Sequence, residues 1–489
     1  MPSDVRSSAP SPRIAALSGA LALAVAMGIG RFAFTPILPF MQRDALLDAA
    51  GASWLAAANY LGYLLGALSS SRLPVRPSRM VVASLVGTAL LTMAMGVTAD
   101  RLAWIVLRLL AGVLSAWTLV GTSAWALQAL ATAGRPQWAG LLYAGVGGGI
   151  ALAGLYCLAA AGPQVPSARL WVGLGIVAAL AIAAPVAVLL RHPERDGGLP
   201  PAHAGRTAVP AGGPGLIACY GIFGIGYVLP ATFLPAMARQ MIDDPHVFGL
   251  AWPVFGAAAA ISTLVVARGF GHVDRRKVWA VTHVLMAAGA VLPTLLLAPL
   301  AIGAAALLVG GSFMVATMVG IQEGRALDPA QATTMVGRLT TAFAAGQFAG
   351  PAISGLLARF PAARGQSLTL TLWLAAALLV ASAAYLWRAS STGGPRDPAS
   401  HWTYPRGTCA TLRPANSREA ESLPSGRTLL THAAIEKNLA PCELAISREH
   451  VRAHRHAGGA HLRSSRYPSP WMVLTCWPRG SSFLRRRWM

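Results

Sequence analysis

The sequence predicts an all-α membrane protein: twelve transmembrane helices in two parallel-repeat six-helix bundles, followed by a basic tail. Three observations predict it. Of the 489 residues, 55% are hydrophobic, only 11% are charged, and the mean hydropathy is +0.55. A soluble protein carries about 25% charged residues. Twelve mainly apolar stretches are each long enough to cross a bilayer, which takes about 20 residues. Finally, the second six stretches repeat features of the first six at a nearly constant offset.

The net charge of +22 comes from 39 Lys and Arg against 17 Asp and Glu. A nucleic-acid binder can be this basic, but its surface charge is incompatible with so apolar a chain. Nucleic acid is therefore excluded as a partner, and the bilayer is expected. The spacing of His, Cys, Asp and Glu suggests no metal site, no cofactor is expected, and the five cysteines form no disulfide pattern. No GxxxxGK[ST], HExxH or GxSxG motif argues for an enzyme.

The first six segments run roughly over 14–40, 52–71, 79–99, 102–130, 138–161 and 169–190. The second six run over 214–238, 248–267, 278–298, 300–322, 334–358 and 367–387. The expected organisation is an N-terminal stretch (1–13), a first bundle (14–190), a linker (191–213), a second bundle (214–388) and a tail (389–489). The linker is rich in Pro and Gly and reads as flexible. The first apolar run is too long for the core of a signal peptide, so it is expected to be retained. With the N-terminus cytoplasmic, the inside segments hold 14 Arg and Lys and the outside loops hold 6. This bias places both termini and the linker in the cytoplasm. The tail mixes Arg, Pro, Ser and His with no apolar periodicity. It reads as a structureless extension, either a lipid-binding cytoplasmic tail or sequence from a shifted reading frame.

The repeat is clearest in the first segment of each set. Residues 28–41 read GIGRFAFTPILPFM and residues 224–237 read GIGYVLPATFLPAM. Six positions match at an offset of 196, among them Gly28 with Gly224 and Pro39 with Pro235. Gly140 and Gly149 recur as Gly337 and Gly346, and LLAG (109–112) recurs as LLVG (307–310). Prolines interrupt both first segments, at Pro36 and Pro39 and at Pro230 and Pro235. Broken helices at equivalent places in two halves point to the central site of a transporter, although prolines also simply kink helices near their ends.

The stretch GIGRFAFTPILPFM together with ASWLAAANYLGYLLGAL (52–68) closely resembles the YbfB/YjiJ-type branch of the major facilitator superfamily, over residues 14–388. That resemblance implies a twelve-helix inner-membrane carrier working by alternating access, and a monomer is expected. It supplies no substrate. Arg108 and Gly112 resemble the Arg-x-x-x-Gly pattern linked to proton coupling in the superfamily. Gly337, Gly346, Gly350, Pro351, Ser354 and Gly355 resemble its antiporter glycine–proline motif, but in the eleventh helix rather than the fifth. Asp274, Arg275, Arg276 and Lys277 resemble its loop motif, whose first-half counterpart (SSSRLPVRPSR) lacks the acid. A gating network on Asp274 and Arg275 is expected in the second half only.

Charges inside spanning helices are functional candidates by default. Arg31 lies about 15 Å and Arg108 about 10 Å from the outer ends of the first and fourth helices, from the rise per residue. Both are expected to face a central cavity and attract an anion. Arg108, Gly112, Ser115, Thr118 and Thr122 form one polar helix face that supports this. The bland alternative is that each Arg snorkels or meets a backbone carbonyl. Asn59, Tyr63, Tyr143, Tyr227 and Gln347 are further candidates for solute contact, with Tyr227 standing where the first half has Arg31. Gly149, Gly346, Gly350 and Pro351, with the four prolines above, are expected to serve helix packing or gating. No Asp or Glu falls within the middle of a segment, which speaks against a cationic solute. The expected function is secondary transport of a small organic anion, with proton coupling open. A drug or metabolite efflux carrier and a non-translocating sensor are the alternatives.

Overall fold

The computed structural model describes residues 10–70, 72–160, 164–193, 209–241, 245–296, 298–329, 331–357, 359–361 and 366–391. The tail and most of the linker lie outside the described residues, as do the side chains of 233–241, Pro235 included. Among the described residues every regular element is helical.

The first span consists of α1 (Pro12–Leu23), a π-helical stretch (Ala24–Ile29) and α2 (Phe34–Arg43). It is followed by α3 (Ala49–Ser70), α4 (Pro77–Val97), α5 (Arg101–Thr132) and α6 (Ala139–Ala160). The sixth span splits into α7 (Ser167–Ala181) and α8 (Ala183–Arg191). Pro185 lacks the N–H that the Ala181 carbonyl would accept, which accounts for the break. The second set comprises α9 (Gly213–Met241), α10 (Pro245–Gly269), α11 (Arg275–Leu295), α12 (Pro299–Leu327), α13 (Ala332–Leu357) and α14 (Ser367–Ser391).

Helix starts follow local chemistry. Ser11 accepts the Ile14 N–H, Asp100 accepts that of Ala103, and Asp274 accepts that of Arg276, so each caps free N–H groups. Among the described residues, ten spans are long and apolar enough to cross a membrane. The two that are not, α3 and α13, carry Asn59 and Tyr63, and Thr340 and Gln347. All four side chains are at most 1% exposed. Their polarity is turned inward, where lipid does not meet it.

The repeat is visible in packing. In the first half, the π stretch meets α6 with Gly28 and Gly149 backbone to backbone. In the second half, α9 meets α13 in the same way: a Cβ on Gly346 would strike the Gly221 carbonyl, and one on Gly224 that of Phe343. Gly350 continues this contact against Val228 and Leu229, and Pro351 sits within α13 without ending it. The two halves meet where α6 lies along α10. Gly140, Gly147 and Gly154 of α6 face Thr263, Gly256 and Pro253 of α10. Small residues allow this close approach in a bilayer, where packing rather than the hydrophobic effect holds helices together.

The halves differ in continuity. The first span is irregular from Ala24 to Ala33, one turn before Pro36 and Pro39, whereas α9 runs unbroken through Pro230 and Pro235. The expected proline break is therefore corrected in the second half, while in the first half the helix does break within one turn before Pro36. Neighbouring helices can absorb a proline in a membrane helix, and the break that does form is a π bulge.

At the end of α2, Asp44 accepts the Ser167 N–H at 2.7 Å and Arg43 Nη2 at 2.8 Å. Arg43 also donates to the Val165 carbonyl. Partial burial pushes the Asp44 carboxyl up, but the Ser167 N–H and Arg43 outweigh it and hold its pKa below the usual carboxylate value. A lowered folded pKa means the stabilisation is complete above the ordinary value of about 3.9. It is lost as pH falls through the lower folded value. Asp44→Asn is expected to lower the melting temperature by about 1 °C at pH 7, as for an exposed ion pair. Melting curves of the two proteins should converge toward pH 3; a constant gap would contradict this.

Candidate functional site

The geometry of the first span explains the site. In the π stretch the Gly30 N–H bonds to the Val25 carbonyl and the Phe32 N–H to that of Met27. The Thr35 N–H turns to the Phe32 carbonyl. The carbonyls of Ala26 and Arg31 thereby lose their ordinary helical donors. The polar face of α5 supplies replacements. The Ser115 hydroxyl shares its one proton between the Ala26 carbonyl at 2.9 Å and the Ala111 carbonyl of its own helix at 2.7 Å. Arg108 donates from Nη2 to the Arg31 carbonyl at 3.1 Å and from Nη1 to that of Gly30 at 3.3 Å. Its guanidinium also covers the Phe34 ring at 4.8 Å. Asn59 Nδ2 ties α3 to the Arg108 carbonyl at 3.0 Å.

Arg108 was expected to line the cavity, and this is corrected. It is 3% exposed, but its donors point at the broken backbone of the first span. Its polar face stitches two helices together because a π bulge creates carbonyls that only a neighbour can satisfy. Asn59 belongs to the same seam, and Tyr143 shares a hydrogen bond with Ser123 at 2.9 Å. Neither lines the cavity.

The cavity opens on the other side of the first span. Arg31, Tyr63, Tyr227 and Gln347 line it together, four of the seven expected solute-contact residues. The Arg31 side chain is 2% exposed. Its guanidinium carbon lies 3.8 Å from the Tyr63 ring centre, and Nη2 donates to Gln347 Oε1 at 2.5 Å. Its Nε and Nη1 have no partner, nor have Gln347 Nε2 and the hydroxyls of Tyr63 and Tyr227. Among the described residues no acidic side chain lines this cavity.

The rest of the wall is mainly aromatic and apolar, with two threonines. Phe32 and Met27 of the first span, Leu119 of α5, Tyr220 of α9, Phe313, Met314 and Thr317 of α12 and Thr340 and Phe343 of α13 complete it. Tyr227 stacks on Phe313 with centroids 4.8 Å apart, and Phe343 lies 6.3 Å from Tyr63. Thr340, Phe343 and Gln347 are spaced by three and four, so one face of α13 was legible as cavity wall. Phe313 and Met314 carried no such signal, since apolar side chains suit lipid equally well. Above Arg31, the Tyr60 hydroxyl bonds to Thr232 Oγ1 at 3.0 Å, joining α3 to α9 across the two halves.

A second cluster lies at the start of α11. Asp274 caps the helix, while Arg275 Nε and Arg276 Nε reach the two oxygens of Glu323 at 3.1 and 2.7 Å. Arg276 Nη1 also donates to the Ala389 carbonyl at 3.0 Å. Glu323 is 3% exposed. This network ties α11, α12 and α14 of the second half.

A helical membrane protein with duplicated six-span halves lining a shared cavity is a transporter of the major facilitator type, not an enzyme. The model of the family described as "Uncharacterised MFS-type transporter YbfB" matches residues 23–386, and the chain belongs to that family. Among solved structures, the crystal structure of the human organic anion transporter MFSD10 (TETRAN) is similar in fold. Its TM-score is 0.57 at 14% identity, covering 77% of this chain and all of that one. A search of the curated proteins gave no match.

Proposed function

We propose that this transporter carries a small organic anion by alternating access, with Arg31 as the group that holds the anion. The carrying observation is the Arg31 guanidinium: buried, facing a cavity, with Nε and Nη1 unpartnered and no carboxylate on the cavity wall. A buried cation without a counter-ion is costly, and a bound anion relieves that cost. At 14% identity the likeness to the human anion transporter reaches the fold alone, so the reading rests on Arg31. The charge bias of the loops supports cytoplasmic termini, and the family resemblance supports an inner-membrane placement. The cavity is lined by helices of both halves of one chain, which supports a monomer as the working unit. Proton coupling through a cavity carboxylate has no described residue to use, so the solute itself supplies the compensating charge.

Counterflow in proteoliposomes tests this. Vesicles holding unlabelled organic carboxylates are expected to accumulate the labelled carboxylate, while the matching amines and amides give none. Exclusive counterflow of the amines would overturn the anion reading. Binding of carboxylates without counterflow would make the protein a sensor.

A further inference from the structure

We propose that the solute is an aromatic monocarboxylate, with its single carboxylate on Arg31 and its flat body on the ring-lined wall. This rests on the reading of Arg31 as the anion site and adds the number of charges and the nature of the body. The number follows from the donors. Arg31 already gives Nη2 to Gln347 Oε1, which leaves Nε and Nη1 for one further acceptor group. The other buried arginine nearby, Arg108, is committed to the carbonyls of Gly30 and Arg31 and does not line the cavity. A second carboxylate would therefore lie among Phe313, Phe343 and Met314 without a cation, a placement that strongly disfavours an ion.

The body follows from the opposite wall. Phe32, Tyr227, Phe313 and Phe343 face the same space as Arg31. Aromatic faces and edges prefer another ring in stacked or edge-on contact, and the thioethers of Met27 and Met314 also favour rings. The unpartnered Gln347 Nε2 and Tyr227 hydroxyl stand ready for the carboxylate's remaining lone pairs or for a ring hydroxyl.

The test uses the full chain in proteoliposomes with labelled benzoate as the probe. Competitors are 2-naphthoate, cyclohexanecarboxylate, acetate, succinate and benzamide. Benzoate and 2-naphthoate are expected to bind at least tenfold more tightly than acetate or succinate, and benzamide not to compete. Benzoate is expected to exceed cyclohexanecarboxylate by roughly threefold to tenfold, the range of one aromatic contact. Phe313→Leu should erase that last preference; the wild-type ranking decides the matter if this variant does not fold. Arg31-dependent binding of succinate or acetate at least as tight as benzoate overturns the aromatic monocarboxylate and leaves the anion site standing. Carboxylate binding unchanged in Arg31→Gln, or no carboxylate bound at all, overturns both.

Discussion

Arg31→Gln is expected to abolish counterflow of organic anions, with binding weakened about 30-fold or more. Removing one partner of a buried charge pair costs roughly 2–5 kcal/mol, so the loss should be unmistakable. The variant should nevertheless fold. The empty site holds a guanidinium with two unpartnered nitrogens, and neutralising an uncompensated buried cation relieves strain on the fold. Without solute, the melting temperature of Arg31→Gln is therefore expected to equal or exceed that of the wild type. Arg31→Lys keeps the charge but loses the planar contact with Tyr63 and the fork geometry, and an intermediate loss is expected. A role of Arg31 in folding alone would give the opposite pattern: a lower melting temperature with anion binding retained in whatever protein survives.

Gly149→Leu is expected to prevent folding rather than tune transport. A Cβ at Gly149 would overlap the backbone of Ala24 in the π stretch. Neither backbone can yield as a side-chain end does, so the first span and α6 must separate along their whole contact. Overpacking a well-fitted site costs about 1–3 kcal/mol and more where backbone must move. Here separation also pulls Ala26 from Ser115 and the Arg31 carbonyl from Arg108. The neighbouring residue provides the control: a Cβ at Gly148 meets nothing within 4 Å. Gly148→Leu should elute as a single species on gel filtration with normal yield, whereas Gly149→Leu should aggregate. Equal behaviour of the two variants would remove the close crossing from the account.

The helices themselves were legible because their signals are local. Apolar runs, the caps Ser11, Asp100 and Asp274, and Pro12 and Pro77 in first turns give nearly the observed limits. The repeat was legible because Gly28 and Gly149, and Gly224 and Gly346, are fixed by the same helix crossing in each half. The π bulge was not legible. It is set by carbonyl partners on α5 and by a contact with α6, about 90 and 120 residues further along the chain, and no local residue announces it. Arg108 was misplaced for that reason: one polar helix face suits a water-filled cavity or a row of stranded carbonyls, and only the partner's geometry decides. The aromatic wall escaped notice because a bilayer and an apolar cavity select the same side chains. Arg31 was readable because a charge in a spanning helix needs a reason wherever it points.

The most direct measurement compares counterflow of a labelled organic carboxylate by wild type and Arg31→Gln at equal amounts of folded protein in proteoliposomes. Accumulation by the wild type and background levels in the variant are the expected result. Equal accumulation by both proteins would contradict an anion site on Arg31.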